Sequence, residues 1–184
     1  MRTINLKAIA KTDELVGQEL AKEHFPVLAA AGMSGDSGDT ILWDWSAIDI
    51  VTASYVAGAI VPLIRQSGSG KSERYLIFAG LNKHCLEELE FVLKAEKVAV
   101  LVAPSVNNIQ SARVIGYLDP VYSDTLAEIL KRRSVSASVL HEAQGKKGTI
   151  GLTGWIKRLT TLNELGLVRR RKVGREYIYE ATYV

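Results

Sequence analysis

The sequence predicts an α/β protein: a small sandwich with a mixed, largely parallel sheet, followed by a helical segment that closes in a strand–turn–strand. Three observations carry this reading. Strand-like and helix-like stretches alternate through residues 1–103. Three helix candidates follow one another beyond residue 122, and an alternating, arginine-rich ribbon comes after them.

In the first part, the alternation over Ile4–Ile9 reads as a strand, and Thr12, followed by Asp13 and Glu14, as the cap of a helix running toward Gly32. Pro26 should kink or divide that helix. MSGDSGD at 33–39 is a turn region, TILWDWS at 40–46 a strand, and the apolar run 53–65 a buried helix. RYLIFAG at 74–80 and VAVLVA at 98–103 are interior strands. Between them lies an amphipathic helix with Leu86, Leu89, Val92 and Leu93 inward. Residues 104–122 read as a connector with one short strand. The division falls at 118/119, giving segments 1–118 and 119–184. Beyond it Ser123-Asp124 is expected to cap TLAEILKRR, and Ser134 or Ser136 to cap SASVLHEAQ.

Composition sets the broad class. With 47% apolar and 23% charged residues the chain is globular rather than disordered. No stretch approaches the roughly 18 apolar residues of a membrane span, and the N-terminus lacks a signal-peptide pattern. The lone Cys85 rules out an intrachain disulfide framework. A soluble cytoplasmic protein is expected. The net charge of +3 is unevenly spread. Residues 123–184 hold 12 Lys/Arg against 6 Asp/Glu, and residues 1–122 hold 11 against 14, so +6 sits beside −3. Only the second part is suited to a polyanion.

That part carries the most informative pattern. Leu152, Trp155/Ile156, Leu159 and Leu162 recur at the spacing of one buried helix face, and Gly166 supplies a stop. Arg169, Arg170, Arg171 and Lys172 follow, then a turn at 173–174, Arg175 and the strand Glu176–Tyr179. At about 100° per residue, Thr153, Lys157 and Glu164 point away from the buried face, flanked by Arg158, Thr160 and Thr161. The segment resembles a winged helix-turn-helix DNA-binding domain. The resemblance implies that Thr153 and Lys157 contact bases and that Arg158 and Thr161 lie near phosphates. Glu164 would stay outside the groove. Arg169, Arg170, Arg171, Lys172 and Arg175 would grip the backbone from the wing, with Arg169 and Arg171 on one strand face and Arg170 on the other. Double-stranded DNA is the implied partner, and a homodimer follows from two-fold half-site logic.

Residues 40–64 resemble the central strand-to-helix segment of STAS and STAS-like domains. Asp44-Trp45-Ser46 matches the strand end, and Thr52-Ala53-Ser54-Tyr55 the helix start. The resemblance implies a regulatory or dimerisation module that takes a partner protein or a small-molecule effector. By position, Ser54 would be the regulatory hydroxyl. Thr52 stands where such domains commonly carry an aspartate. Read from the residues alone, Thr52 or Ser54 caps the helix by accepting a backbone N–H.

The expected function is therefore a DNA-binding transcription regulator. One alternative is a partner-switching module whose C-terminal segment docks protein. A second, from another class, is a nucleotide-handling enzyme using SGSGKS at 67–72, although Arg65 stands where a phosphate-binding loop has its first glycine. His24, His84 and His141 have no metal-ligand spacing, and no residue has the context of a catalytic nucleophile or acid/base pair. No metal, cofactor or catalytic residue is expected. Trp43 and Trp45 share one strand face and should fill a core.

Overall fold

The computed structural model describes residues 1–68, 72–145 and 148–183. Strands β1 (Arg2–Asn5), β3 (Thr40–Asp44), β5 (Tyr75–Ala79) and β6 (Ala99–Ala103) run parallel in that spatial order. β7 (Arg113–Gly116) closes the edge antiparallel to β6, so the sheet is mixed, as the sequence suggests. A short parallel pair, β2 (Glu14–Leu15) with β4 (Ile50–Val51), lies apart.

The central strands are buried on both faces, and their side chains divide by the period of two. Ile41 and Trp43 of β3, Leu76 and Phe78 of β5, and Val100 and Val102 of β6 enter one core. Leu42, Ile77, Ala79, Ala99, Leu101 and Ala103 enter another. The first core is roofed by α2 (Gln18–Met33), the helical stretch 53–65 and α5 (Lys83–Ala95). That stretch passes from α3 (Ala53–Tyr55) through a π turn (Val56–Ile60) into α4 (Val61–Arg65). Trp43 and Trp45 are both buried in this core, as their spacing predicts.

The second core is covered by the rest of the chain. Its elements run α6 (Pro120–Arg132), β8 (Ser134–Ser136), α7 (Ala137–Ala143), α8 (Leu152–Glu164), β9 (Val168–Val173) and β10 (Glu176–Ala181). The last two strands form an antiparallel hairpin, and the three strands are ordered β8-β10-β9. Leu126 and Ile129 of α6, Leu140 of α7, Leu159 and Leu162 of α8, and Leu167, Val168 and Tyr179 share one buried cluster with the sheet residues. Burying one such side chain contributes about 1.5–3 kcal/mol, so a sheet face of this size cannot stay bare.

Polar contacts fix how α8 lies on the sheet. Asn163, fully buried, donates its amide to the Tyr75 hydroxyl on β5 at 2.9 Å and to the Val168 carbonyl at 2.9 Å. The Thr40 hydroxyl donates to the Thr182 carbonyl. Gly68 passes so close to the end of α8 that a Cβ there would lie 2.5 Å from the Glu164 carbonyl oxygen, and its φ of +94° is one that glycine adopts without strain.

Several elements differ from the sequence reading, mostly in which residue supplies the capping group. The predicted strand at 4–9 is a strand only to Asn5, whose side chain accepts the Ala8 N–H and starts helix α1 (Leu6–Ala10). Thr12 caps no helix; its hydroxyl oxygen accepts the Glu14 N–H in a turn, and α2 begins at Gln18. Pro26 lies within α2 without dividing it. α6 starts at Pro120, three residues before the expected cap, because Asp119 accepts the Val121 N–H and proline suits the first helical turn. β8 forms a strand on β10 where the sequence reading has only a helix cap. Ser136, at its end, does cap α7, accepting the Val139 N–H.

Because the two cores share one sheet, unfolding should be a single cooperative transition. Circular dichroism and tryptophan fluorescence should give the same denaturant midpoint. Asn163→Ala should destabilise the whole chain by about 2 kcal/mol, since the Val168 carbonyl and Tyr75 hydroxyl lose their buried partner. Two separated transitions would contradict the shared core.

Candidate functional site

α8 and the β9–β10 hairpin create the most distinctive surface. The hairpin register pairs Val173 with Glu176, so the two turn residues are Gly174 and Arg175, one position later than predicted. The same register places Arg170 opposite Tyr179 and Lys172 opposite Tyr177, all on the face turned toward α8. Arg169 and Arg171 lie on the opposite face, as the alternation predicts.

Each cation has a defined situation. Lys157, Lys172 and Arg175 are exposed. Arg158 is half-buried, its guanidinium 5.3 Å from the Trp155 ring centroid, and Arg170 lies 4.9 Å from that of Tyr177. Thr153 is exposed and Thr161 half-buried. Arg171 donates from Nε to Glu180 at 2.8 Å, and Arg169 approaches the other carboxylate oxygen at 3.7 Å. Glu180 is only 8% exposed, and it faces Arg169 across the strands. Two of the five hairpin cations are therefore drawn to one internal carboxylate. Arg170, Lys172 and Arg175 remain on the α8 side or at the tip. Sequence reasoning missed Glu180, although counting back across a turn at 174–175 would have placed it opposite Arg169.

The buried face of α8 is narrower than predicted. Trp155, Leu159, Leu162 and Asn163 pack inward, but Leu152 is 42% and Ile156 47% exposed. Both look onto a cleft of about 200 Å³, whose other walls are Ser136–Ser138, Arg175, Glu176, Tyr177 and Tyr179. Helical spacing grouped Leu152 and Ile156 with the core because it cannot tell where the underlying sheet ends. The Tyr179 hydroxyl meets the Thr160 hydroxyl at 3.3 Å, and Ser138 donates to Glu176 at 2.6 Å, bracing the cleft walls.

The N-terminal hydroxyls behave differently from the capping expectation. Thr52 is the residue before α3, yet neither it nor Ser54 accepts an N–H from that helix. The Thr52 hydroxyl instead accepts the N–H of Gly17, just before α2, at 3.0 Å, and so ties the starts of two helices together. Ser54 is exposed, its hydroxyl 3.2 Å from that of Thr52. Beneath them the Tyr55 hydroxyl meets His24 Nδ1 at 2.9 Å, and burial pushes the tyrosine far above the usual phenol range.

Of the 67–72 loop, residues 69–71 lie outside the described residues. Ser67 is buried and donates to the Ile64 carbonyl, while Gly68 packs on α8. Among the described residues no cluster of His, Cys, Asp or Glu is arranged to hold a metal ion. Burial raises the Cys85 thiol pKa, which keeps it protonated at neutral pH. No described helix is long and apolar enough to cross a membrane. Compared with family models, characterised proteins and solved structures, the chain finds no match.

The Glu180–Arg171 pair is less solvated than an ordinary surface ion pair. A double-mutant cycle of Glu180→Gln and Arg171→Ala, read by thermal unfolding, should give a coupling toward the upper end of the roughly 0.2–1 kcal/mol of exposed pairs, because the carboxylate is buried while the guanidinium remains largely exposed. A coupling indistinguishable from zero would mean that the carboxylate does not hold the arginine.

Proposed function

We propose that this protein is a DNA-binding transcription regulator. In this reading residues 119–184 form a winged helix that binds duplex DNA, and residues 1–118 form a STAS-like regulatory module. The observation that carries it is the pairing of α8 with the hairpin: Lys157 is exposed on α8, Arg175 lines the cleft between helix and hairpin, and Arg170 and Lys172 lie beside Tyr177 of its wall. The order α6-β8-α7-α8-β9-β10 with sheet order β8-β10-β9 supports the winged-helix assignment. One-sided helical roofing of a mostly parallel sheet is compatible with a STAS-like module.

Mechanistically, α8 enters the major groove with its N-terminal half toward the bases, so that Thr153 and Lys157 lie nearest the base edges. Arg158 and Thr161 flank the phosphates. Lys172 and Arg175 bind the backbone; such contacts supply affinity and register rather than sequence preference. Arg169 and Arg171, engaged by Glu180, contribute less. Two copies acting on an inverted repeat, and a partner protein or small molecule at the Thr52–Ser54 surface, complete the scheme. A cytoplasmic setting goes with it.

The alternative, a module that docks protein, has one observation in its favour: α8 exposes Leu152 and Ile156. Salt-titrated binding to a random duplex separates the two. DNA binding expects affinity to fall steeply with salt, and Lys172→Ala or Arg175→Ala each to flatten the log–log slope by about 0.9. Arg171→Ala should flatten it less. A slope unchanged by every hairpin substitution favours the protein partner.

A further inference from the structure

Resting on the DNA-binding reading, we propose that Leu152 and Ile156 make this protein a reader of thymine, contacting the C5-methyl groups of the bound site. The two side chains lie one turn apart in the N-terminal half of α8, beside Thr153 and Lys157. They are 42% and 47% exposed on a helix whose other large apolar side chains, Trp155, Leu159 and Leu162, pack into the core. Scattered exposed aliphatics need no explanation, but these two converge with Tyr177, itself 45% exposed, on a single cleft.

The surroundings of that cleft indicate what covers it. Arg175 lines the cleft at the turn, the Arg170 guanidinium lies 4.9 Å from the Tyr177 ring and Lys172 sits across from that tyrosine, three cations against the one wall carboxylate, Glu176, which accepts from the Ser138 hydroxyl. The complementary surface is thus one that carries negative charge around an apolar group. A duplex major groove meets this description at one kind of base. Its phosphates line both rims, and thymine alone presents an apolar group, the C5-methyl, on the groove edge. Leu152 and Ile156 have no hydrogen-bonding capacity and cannot read a donor or acceptor pattern. What they can do is remove that methyl from water.

The test compares thymine with deoxyuridine, which differs only in lacking the methyl. The full-length protein is used to select duplexes from a random pool, and the enriched duplex is resynthesised with deoxyuridine at each thymine in turn. Loss of a contacted methyl should weaken binding about fourfold. The double variant Leu152→Ala/Ile156→Ala should bind the thymine duplex about as weakly as the wild type binds the deoxyuridine one and should no longer distinguish them, and Ile156→Ala alone should lose part of the distinction. Lys157→Ala should weaken both duplexes and keep the distinction. Because Ile156 is half-exposed, the thermal midpoint of Ile156→Ala should stay near that of the wild type.

Equal binding of thymine and deoxyuridine duplexes at every position overturns the proposal while leaving DNA binding intact. Absence of duplex binding by the folded protein at low salt overturns both.

Discussion

The structure depends on one constraint: the central strands of the sheet are apolar on both faces, and the N-terminal helices cover only one. Ile77, Ala79, Leu101 and Ala103 require a second layer as much as Phe78 and Val102 require the first. In many α/β proteins helices wound to both sides provide it. Here α6, α8 and the three-stranded sheet provide it instead, so the position of α8 follows from the need to bury that face. Small side chains at 79, 99 and 103 allow the second layer to come close, and the Asn163–Tyr75 hydrogen bond fixes its placement.

From that placement the candidate site follows. The inner half of α8 is consumed by the sheet through Leu159, Leu162 and Asn163. Its N-terminal turns reach beyond this support, which leaves Leu152 and Ile156 beside the hairpin rather than beneath it. On the hairpin the two-residue turn sets the strand parity, and parity decides which cations face α8. Charge follows geometry: the arginines on the far face meet Glu180, Arg170 on the near face lies over Tyr177, and Arg175 at the turn lines the cleft.

Much of this was legible in the amino-acid order. Strands β3, β5 and β6, helices α5 and α8, and both strands of the hairpin fall close to where periodicity puts them, because each has a long apolar repeat. The failures have common physical causes. Short elements such as α1, β2 and β8 carry too few repeats to reveal a period, and single capping groups set where helices begin, Asn5 for α1, Asp119 for α6 and Ser136 for α7. The bond between Thr52 and Gly17 joins residues 35 positions apart, so local capping rules could not find it. Leu152 and Ile156 were misplaced for a related reason: whether an apolar helical residue is covered depends on the extent of the surface beneath it. Of the nine predicted cationic and hydroxyl positions on α8 and the hairpin, Thr153, Lys157, Arg171, Lys172 and Arg175 are exposed, and Arg158, Thr161, Arg169 and Arg170 are partly buried. The pairing of Arg169 and Arg171 with Glu180 depended on a register that the sequence left one residue out.

The close passage of Gly68 against the last turn of α8 has a mechanical consequence. With backbone touching backbone there, and Asn163 locked to a central strand a few residues away, α8 has no independent freedom to swivel. Displacement of the N-terminal layer would therefore carry α8 and the hairpin cleft with it as one body, leaving the spacing of the cleft walls unaltered.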